Sequence, residues 1–214
     1  MTQYELKTGL YISPTPTGAY YAVSSPETDP SRHLLHSVLQ QQASPMLTMD
    51  GLIEWNQPNE GEALDLLYHM QSLGWVDGLA EPVNAPIGVL EDVLPSLLLP
   101  LSSNGKALLA DDQGFYISSH GFAHETSEEL SALSADIGSL YGRHSGLLKG
   151  NLGLGTSAWS LVDAGGNSQV GFWPMFIGAQ RFVLVLGGMP RLNQPELLQL
   201  IWALSIRYGK RETR

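Results

Sequence analysis

The residue types that most often carry chemistry are few in this chain and widely spread. The densest cluster is a pair of histidines four residues apart with three glutamates beside them: His120, His124, Glu125, Glu128 and Glu129. This composition would suit a metal ion, but Gly121 places the two histidines in a strand-to-helix loop rather than on one helical face. We therefore predict neither a metal site nor a cofactor.

The other patterns that suggest catalysis are incomplete. Ser118, Ser119 and His120 are adjacent in sequence, which is not the geometry of a catalytic triad. The glycine-rich run at 150–155 lacks the dinucleotide-binding order of glycines and precedes a strand, so a flexible connection is favoured. Arg181 and Arg191 flank the last strand, where an arginine finger is conceivable but a solvating role is favoured. The sequence indicates a protein that is not an enzyme.

Composition and charge restrict the class of protein further. The 214 residues are 43% hydrophobic and contain no cysteine, which allows one large or two small domains in a reducing compartment. Residues 1–81 hold ten acidic and two basic residues, a net charge of −8 out of −10 for the chain. Such a segment repels nucleic acid, and no apolar run is long enough for a signal or a membrane span. We expect a cytoplasmic protein with no nucleic-acid or membrane partner.

Residues 1–81 have the order of elements found in a small winged-helix-like domain. Two short strands are predicted within 9–24, helices over 32–42 and 60–73, and a strand over 75–79 after Gly74. The helix that would read DNA carries acidic residues and no lysine or arginine. A protein-interaction or dimerisation module is therefore favoured over a DNA-binding one.

Residues 82–86 contain two prolines and are predicted to link this domain to a second one, over 87–214. The second domain reads α-β-β-α-β-β-β-α, which predicts an α+β fold with a five-stranded antiparallel sheet and helices. A turn at 111–114 joins the first two strands, and Thr126 to Glu129 has the pattern of a capping box opening a long helix.

The run from Ala107 to Gly121, Ala-Leu-Leu-Ala-Asp-Asp-Gln-Gly-Phe-Tyr-Ile-Ser-Ser-His-Gly, is followed by the helix at 126–148. This combination resembles the roadblock family, named for a dynein light chain, over about residues 87–210. The resemblance implies a profilin-like sheet between helices. The first helix of the domain departs from the family pattern because Pro95 and Pro100 interrupt it. The segment 1–81 is similar to small winged-helix peptide-binding domains.

The resemblance also implies a homodimer. Family members commonly pair through the long helix and the following strand, which are residues 127–148 and 156–163 here. The side chains implied at the contact are Leu133, Ile137, Tyr141 and Trp159. The alternative is that Leu133, Ile137 and Tyr141 cover their own sheet.

A second aromatic concentration surrounds Pro174. Strand alternation places Phe172 and Phe176 on one face and Trp173 and Met175 near the other. One set is expected in the core, and the candidates for a partner surface are Phe172, Trp173 and Met175. The alternative is that helices of the same fold cover both faces.

These observations together predict a regulatory or scaffold protein that is not an enzyme. The resemblance implies that it dimerises through the roadblock-like domain and binds a small Ras-like GTPase or a multiprotein complex. The alternative is a transcriptional regulator that binds DNA through the N-terminal winged helix.

Overall fold

The computed structural model describes residues 4–56 and 59–209. The first part of the chain is mostly helical, and its two strands pair with each other in an antiparallel ladder. Its elements are β1 (Tyr11–Pro14), α1 (Pro16–Val23), α2 (Pro30–Leu39), α3 (Met49–Asn56), α4 (Glu60–Ser72) and β2 (Val76–Leu79).

Of the two strands predicted within 9–24, the first is present as β1, but the second was wrong because that segment forms α1. Thr15 is the N-cap of α1, where its hydroxyl accepts the backbone N–H of Gly18, and Pro16 occupies the first helical position. Threonine followed by proline is a favourable start for a helix because proline has no N–H to leave unbonded. The strand predicted after Gly74 is present as β2, and its partner is β1 from the start of the chain.

The second part of the chain forms the five-stranded antiparallel sheet that the sequence predicts, in the order β4-β3-β7-β6-β5. Pro95 lies inside the first helix of this part, which continues to Leu98, so the predicted interruption at Pro95 was wrong. The elements are α5 (Leu90–Leu98), β3 (Ala107–Ala110), β4 (Tyr116–His120), α6 (His124–Ser145), β5 (Trp159–Val162), β6 (Ser168–Ile177), β7 (Gln180–Gly187) and α7 (Pro195–Tyr208).

The sheet buries apolar side chains on both faces. One face carries Leu109, Met175 and Leu184 and packs into the main core, to which α1, α2, α5 and α7 also contribute. The opposite face carries Leu108, Phe172 and Val185 in a smaller cluster, against which Leu130 and Ile137 of α6 pack. This alternation follows from the two-residue repeat of side chains along a strand.

The main core runs continuously through both parts of the chain. It includes Ile12 of β1 and Leu35 of α2 as well as Ile201 of α7. The segment predicted as a linker also contacts the first part, since the Val83 carbonyl accepts the Ser44 N–H at 2.8 Å. The two domains predicted from the sequence, 1–81 and 87–214, therefore contribute to one buried cluster.

No helix in the described ranges combines the length and the apolar character that crossing a bilayer requires.

Candidate interaction surface

The helix α6 rests on the sheet through serines. Ser127, Ser131 and Ser134 are its buried residues, at spacings of four and three that put them on one side of the helix. Their hydroxyl groups are satisfied within the helix: Ser131 donates to the Ser127 carbonyl and Ser134 to the Ser131 carbonyl, each at 2.7 Å. Small side chains at these positions let the helix backbone approach the sheet closely.

The predicted capping box does not open this helix. The helix begins at His124 with Ala123 as its N-cap, and no side chain bonds to the first free N–H groups. Thr126 therefore lies inside the first turn. The long helix was predicted correctly, but its start was placed two residues late.

The larger side chains of α6 lie on its flank because the serines occupy the contact with the sheet. Leu133, Ile137 and Tyr141 form a row at a spacing of four residues, on adjacent turns. Leu133 is 41% exposed, and the other two are half-buried. Ile137 and Tyr141 line a small cavity together with Phe172 of β6.

The strand β5 adds apolar side chains next to this flank. In the ladder with β6, Trp159 lies opposite Phe172 and Leu161 opposite Val170, so all four side chains project from the face that α6 partly covers. Leu161 is 62% exposed. We call the set Leu133, Ile137, Tyr141, Trp159 and Leu161 the α6–β5 surface.

β5 is an outer strand of the sheet. Its only strand partner in the described part of the chain is β6, so one edge of its backbone carries unpaired N–H and C=O groups. An outer strand with exposed apolar side chains favours pairing with another strand.

The hairpin from β5 to β6 is held by Asp163. Its carboxylate accepts the backbone N–H of Gly165 at 2.8 Å and that of Asn167 at 3.0 Å. Hydrogen bonds from Asn167, aided by those from Gly165 and Gln169, lower the pKa of the Asp163 carboxyl, although partial desolvation opposes them. The ionised form therefore fixes the turn at the end of β5 at neutral pH.

The three residues predicted to bind a partner differ in how deeply they are buried. Phe172 and Met175 are buried on opposite faces of the sheet, as the alternation around Pro174 predicts, and they contribute to the two cores. Trp173 is half-buried against the main core, with its ring over Gly171. Of these three side chains, Trp173 alone offers accessible surface in this conformation.

The histidines of the strand-to-helix loop bond to separate groups. His120 Nδ1 lies 3.0 Å from the Gly105 carbonyl oxygen, and His124 Nδ1 lies 2.7 Å from the Tyr116 hydroxyl. His124 Nε2 is 3.5 Å from the Glu128 carboxylate. Across residues 4–56 and 59–209, no three His, Asp or Glu side chains are gathered as metal ligands.

Sequence reasoning missed Leu161, the most exposed apolar residue of the α6–β5 surface. The signal was present in the strand alternation: Leu161 is two residues after Trp159, so both must lie on the same face.

Neither the protein-family models nor the curated proteins contain a match to this chain. Among solved structures, a roadblock/LC7 domain from Streptomyces avermitilis is similar over 52% of this chain and 87% of that chain. The sequence identity is 17% and the TM-score is 0.33. At those values the similarity assigns neither a family nor a function to this chain.

Proposed function

We propose that the chain is a regulatory or scaffold protein without enzymatic activity, which forms a homodimer through the α6–β5 surface. The observation that carries the proposal is the exposed outer strand β5, whose apolar Leu161 projects from the face of the sheet that α6 partly covers. A second copy of β5 would pair the free backbone edge and extend the sheet from one subunit to the other.

The energetics favour burial of this surface in a complex. Transfer of apolar area from water contributes about 25 cal/mol per Å², and the α6–β5 surface concentrates five apolar or aromatic side chains in one place. The small contact that a single strand provides would be enlarged by Leu133 and Tyr141 of α6 from both subunits. A symmetric contact satisfies both copies at once.

The partner class comes from the resemblance noted in the sequence, which suggests a small Ras-like GTPase or a multiprotein complex. Trp173 supports such a role because tryptophan is enriched at the centres of protein contacts. The acidic, winged-helix-like segment 1–81 is a second interaction module in this proposal. It includes α3, α4 and β2, and its charge favours proteins over DNA.

Light scattering after size-exclusion chromatography tests the dimer. The wild-type protein is expected at twice the 23.2 kDa of one chain, and Leu161→Lys at the mass of one chain, because two lysines would oppose each other across the two-fold axis. The matched control is Phe115→Lys, since Phe115 is 68% exposed in the turn between β3 and β4, away from β5. A monomeric wild type, or a Leu161→Lys variant that stays dimeric, would refute the proposed interface.

Affinity capture from the native cells tests the partner class. The tagged wild-type chain should recover a Ras-like GTPase or a defined set of complex subunits, and Trp173→Ala should recover at least tenfold less. Circular dichroism must show that the variant is folded, and Phe115→Ala should recover as much as the wild type. Recovery of DNA and chromatin proteins instead would favour the transcriptional regulator.

A further inference from the structure

A broad cleft opens at the end of the sheet where the turn between β6 and β7 lies. It has a volume of about 1040 Å³, and its walls are the 25–28 segment, one face of α2 and the turn at 178–180. His33, His36 and Gln40 line the α2 wall at helical spacings of three and four. Hydrogen-bond donors are therefore abundant around this cleft.

One wall of the cleft contains a cation without a counter-charge. Arg181 lies near the start of β7, opposite Phe176, and lines the cleft together with it. Its Nε is buried with no hydrogen-bond partner, and Arg181 forms no ion pair with any of residues 4–56 and 59–209. Arg181 as a whole is half-buried, but a buried N–H donor without a partner is costly, because nothing replaces its hydrogen bond to water.

Arg32 of α2 shows how the chain compensates an arginine charge elsewhere. Arg32 Nε lies 2.9 Å from the Asp29 carboxylate, and its guanidinium group stacks over the Tyr21 ring at 4.1 Å. Asp29 also accepts the Tyr21 hydroxyl at 2.9 Å. Within the described ranges, no carboxylate pairs with Arg181 in this way.

Water in the interior does not remove the imbalance. Arg181 also lines the small cavity under α6, whose volume of about 20 Å³ admits roughly one water molecule. A water molecule there carries no charge, so it would not supply a counter-ion.

The carboxylates of the cleft do not neutralise Arg181 either. Glu27 is paired with Lys149 at the end of the π-helical turn after α6. Asp112 lines the cleft but lies beyond ion-pair distance of the guanidinium group. The remaining titratable groups of the walls are His33 and His36, which add positive charge when protonated.

A glycine in the middle of α6 makes room for the guanidinium group. A Cβ at position 138 would lie 2.2 Å from Arg181 Nη1 and 2.5 Å from its Cζ, so only glycine fits there without displacing Arg181. Glycine inside a helix is unfavourable relative to alanine, so its presence here has a local reason. Gly138 is thus a positioning residue for Arg181.

We propose that the cleft binds a small oxyanion ligand, carrying a phosphate or a carboxylate group, through Arg181. The planar guanidinium group donates two parallel hydrogen bonds to either anion, a geometry that lysine lacks. Gln180 at the turn lines the cleft and supplies a further amide donor for the rest of the ligand. None of the five residues of the α6–β5 surface lines this cleft, although Arg181 also borders the small cavity that Ile137 and Tyr141 line.

NMR titration of the Arg181 Nε–H resonance tests the proposal on the full chain. Sodium pyrophosphate and sodium citrate are the probes, each at constant ionic strength maintained with sodium chloride. A saturable shift with pyrophosphate alone assigns a phosphate ligand, with citrate alone a carboxylate ligand, and with both a general oxyanion site. A shift that grows linearly and matches chloride for both probes overturns the proposal.

Four variants sharpen the result. Arg181→Gln and Gly138→Ala should weaken binding of the effective probe at least tenfold by calorimetry, while Arg191→Gln, an exposed arginine after β7, should leave it unchanged. Arg181→Lys keeps the charge and should bind more weakly than the wild type but more tightly than Arg181→Gln. If the wild type, Arg181→Lys and Arg181→Gln all bound the probe with equal affinity, the proposal would also be overturned. If a variant does not fold, the NMR titration of the wild type decides the question.

Discussion

At the scale of single residues, Gly18 of α1 shows how closely the first part of the chain is packed. A Cβ at this position would lie 2.0 Å from the Trp75 carbonyl oxygen, which accepts the Thr15 N–H just before the helix. The obstacle is backbone, so it cannot rotate away. Gly18→Ala should lower the free energy of unfolding by about 1–3 kcal/mol, the usual cost of overpacking.

Urea denaturation followed by circular dichroism measures this cost. Gly142 supplies the control, because it also lies inside a helix but has open space around it. Gly142→Ala should raise the stability by up to about 1 kcal/mol through helix propensity alone. Equal effects of the two alanines would contradict the packing seen around Gly18.

At the scale of elements, the sequence predicted which helices and strands form better than it predicted which face of a helix is buried. The long helix, the hairpin of β3 and β4 and the last three strands follow from periodicity and turn residues, and they are present. The rotation of α6 was less predictable, because Leu133 and Ile137 could contact a second subunit or cover their own sheet. In the structure Ser131 and Ser134 are buried and Ile137 packs partly on the sheet, whereas Leu133 is exposed.

The reason is that a helix face is chosen by the surface it meets. The turn before β4 brings Gly114 against α6, where a Cβ would lie 3.2 Å from Ala132 Cα and 3.3 Å from the Ser131 carbonyl oxygen. At this distance, the side of α6 that faces the turn has room for serine or alanine but not for leucine. No local pattern in the sequence encodes that distance. The sequence therefore predicts that the candidate surface lies on α6 and β5, but it does not predict which of their side chains are exposed.

At the scale of the whole molecule, the two parts of the chain are joined through α7. The indole Nε1 of Trp202 donates to the Gln41 carbonyl at 2.8 Å, and Gln40 donates to the Gly209 carbonyl at 3.1 Å. Trp202 itself is buried in the main core, which contains residues from β1 through α7. The two prolines of 82–86 predict a boundary between two domains, but a local break in the chain carries no information about a shared interior.

A shared core predicts that the chain unfolds as one cooperative unit. Tryptophan fluorescence reports on five residues spread over both parts of the chain, from Trp55 to Trp202, and far-UV circular dichroism reports on all helices. The urea transitions followed by the two methods should therefore coincide. Trp202→Phe should lower the midpoint without splitting the transition, because the Gln41 carbonyl loses its donor at a cost of about 1–3 kcal/mol. Two separate transitions in the wild type would show instead that the boundary at 82–86 divides the molecule into independently stable domains. In that case the contacts of α1 and α2 with α7 would contribute little to stability, and the acidic segment could be studied as a binding module in isolation.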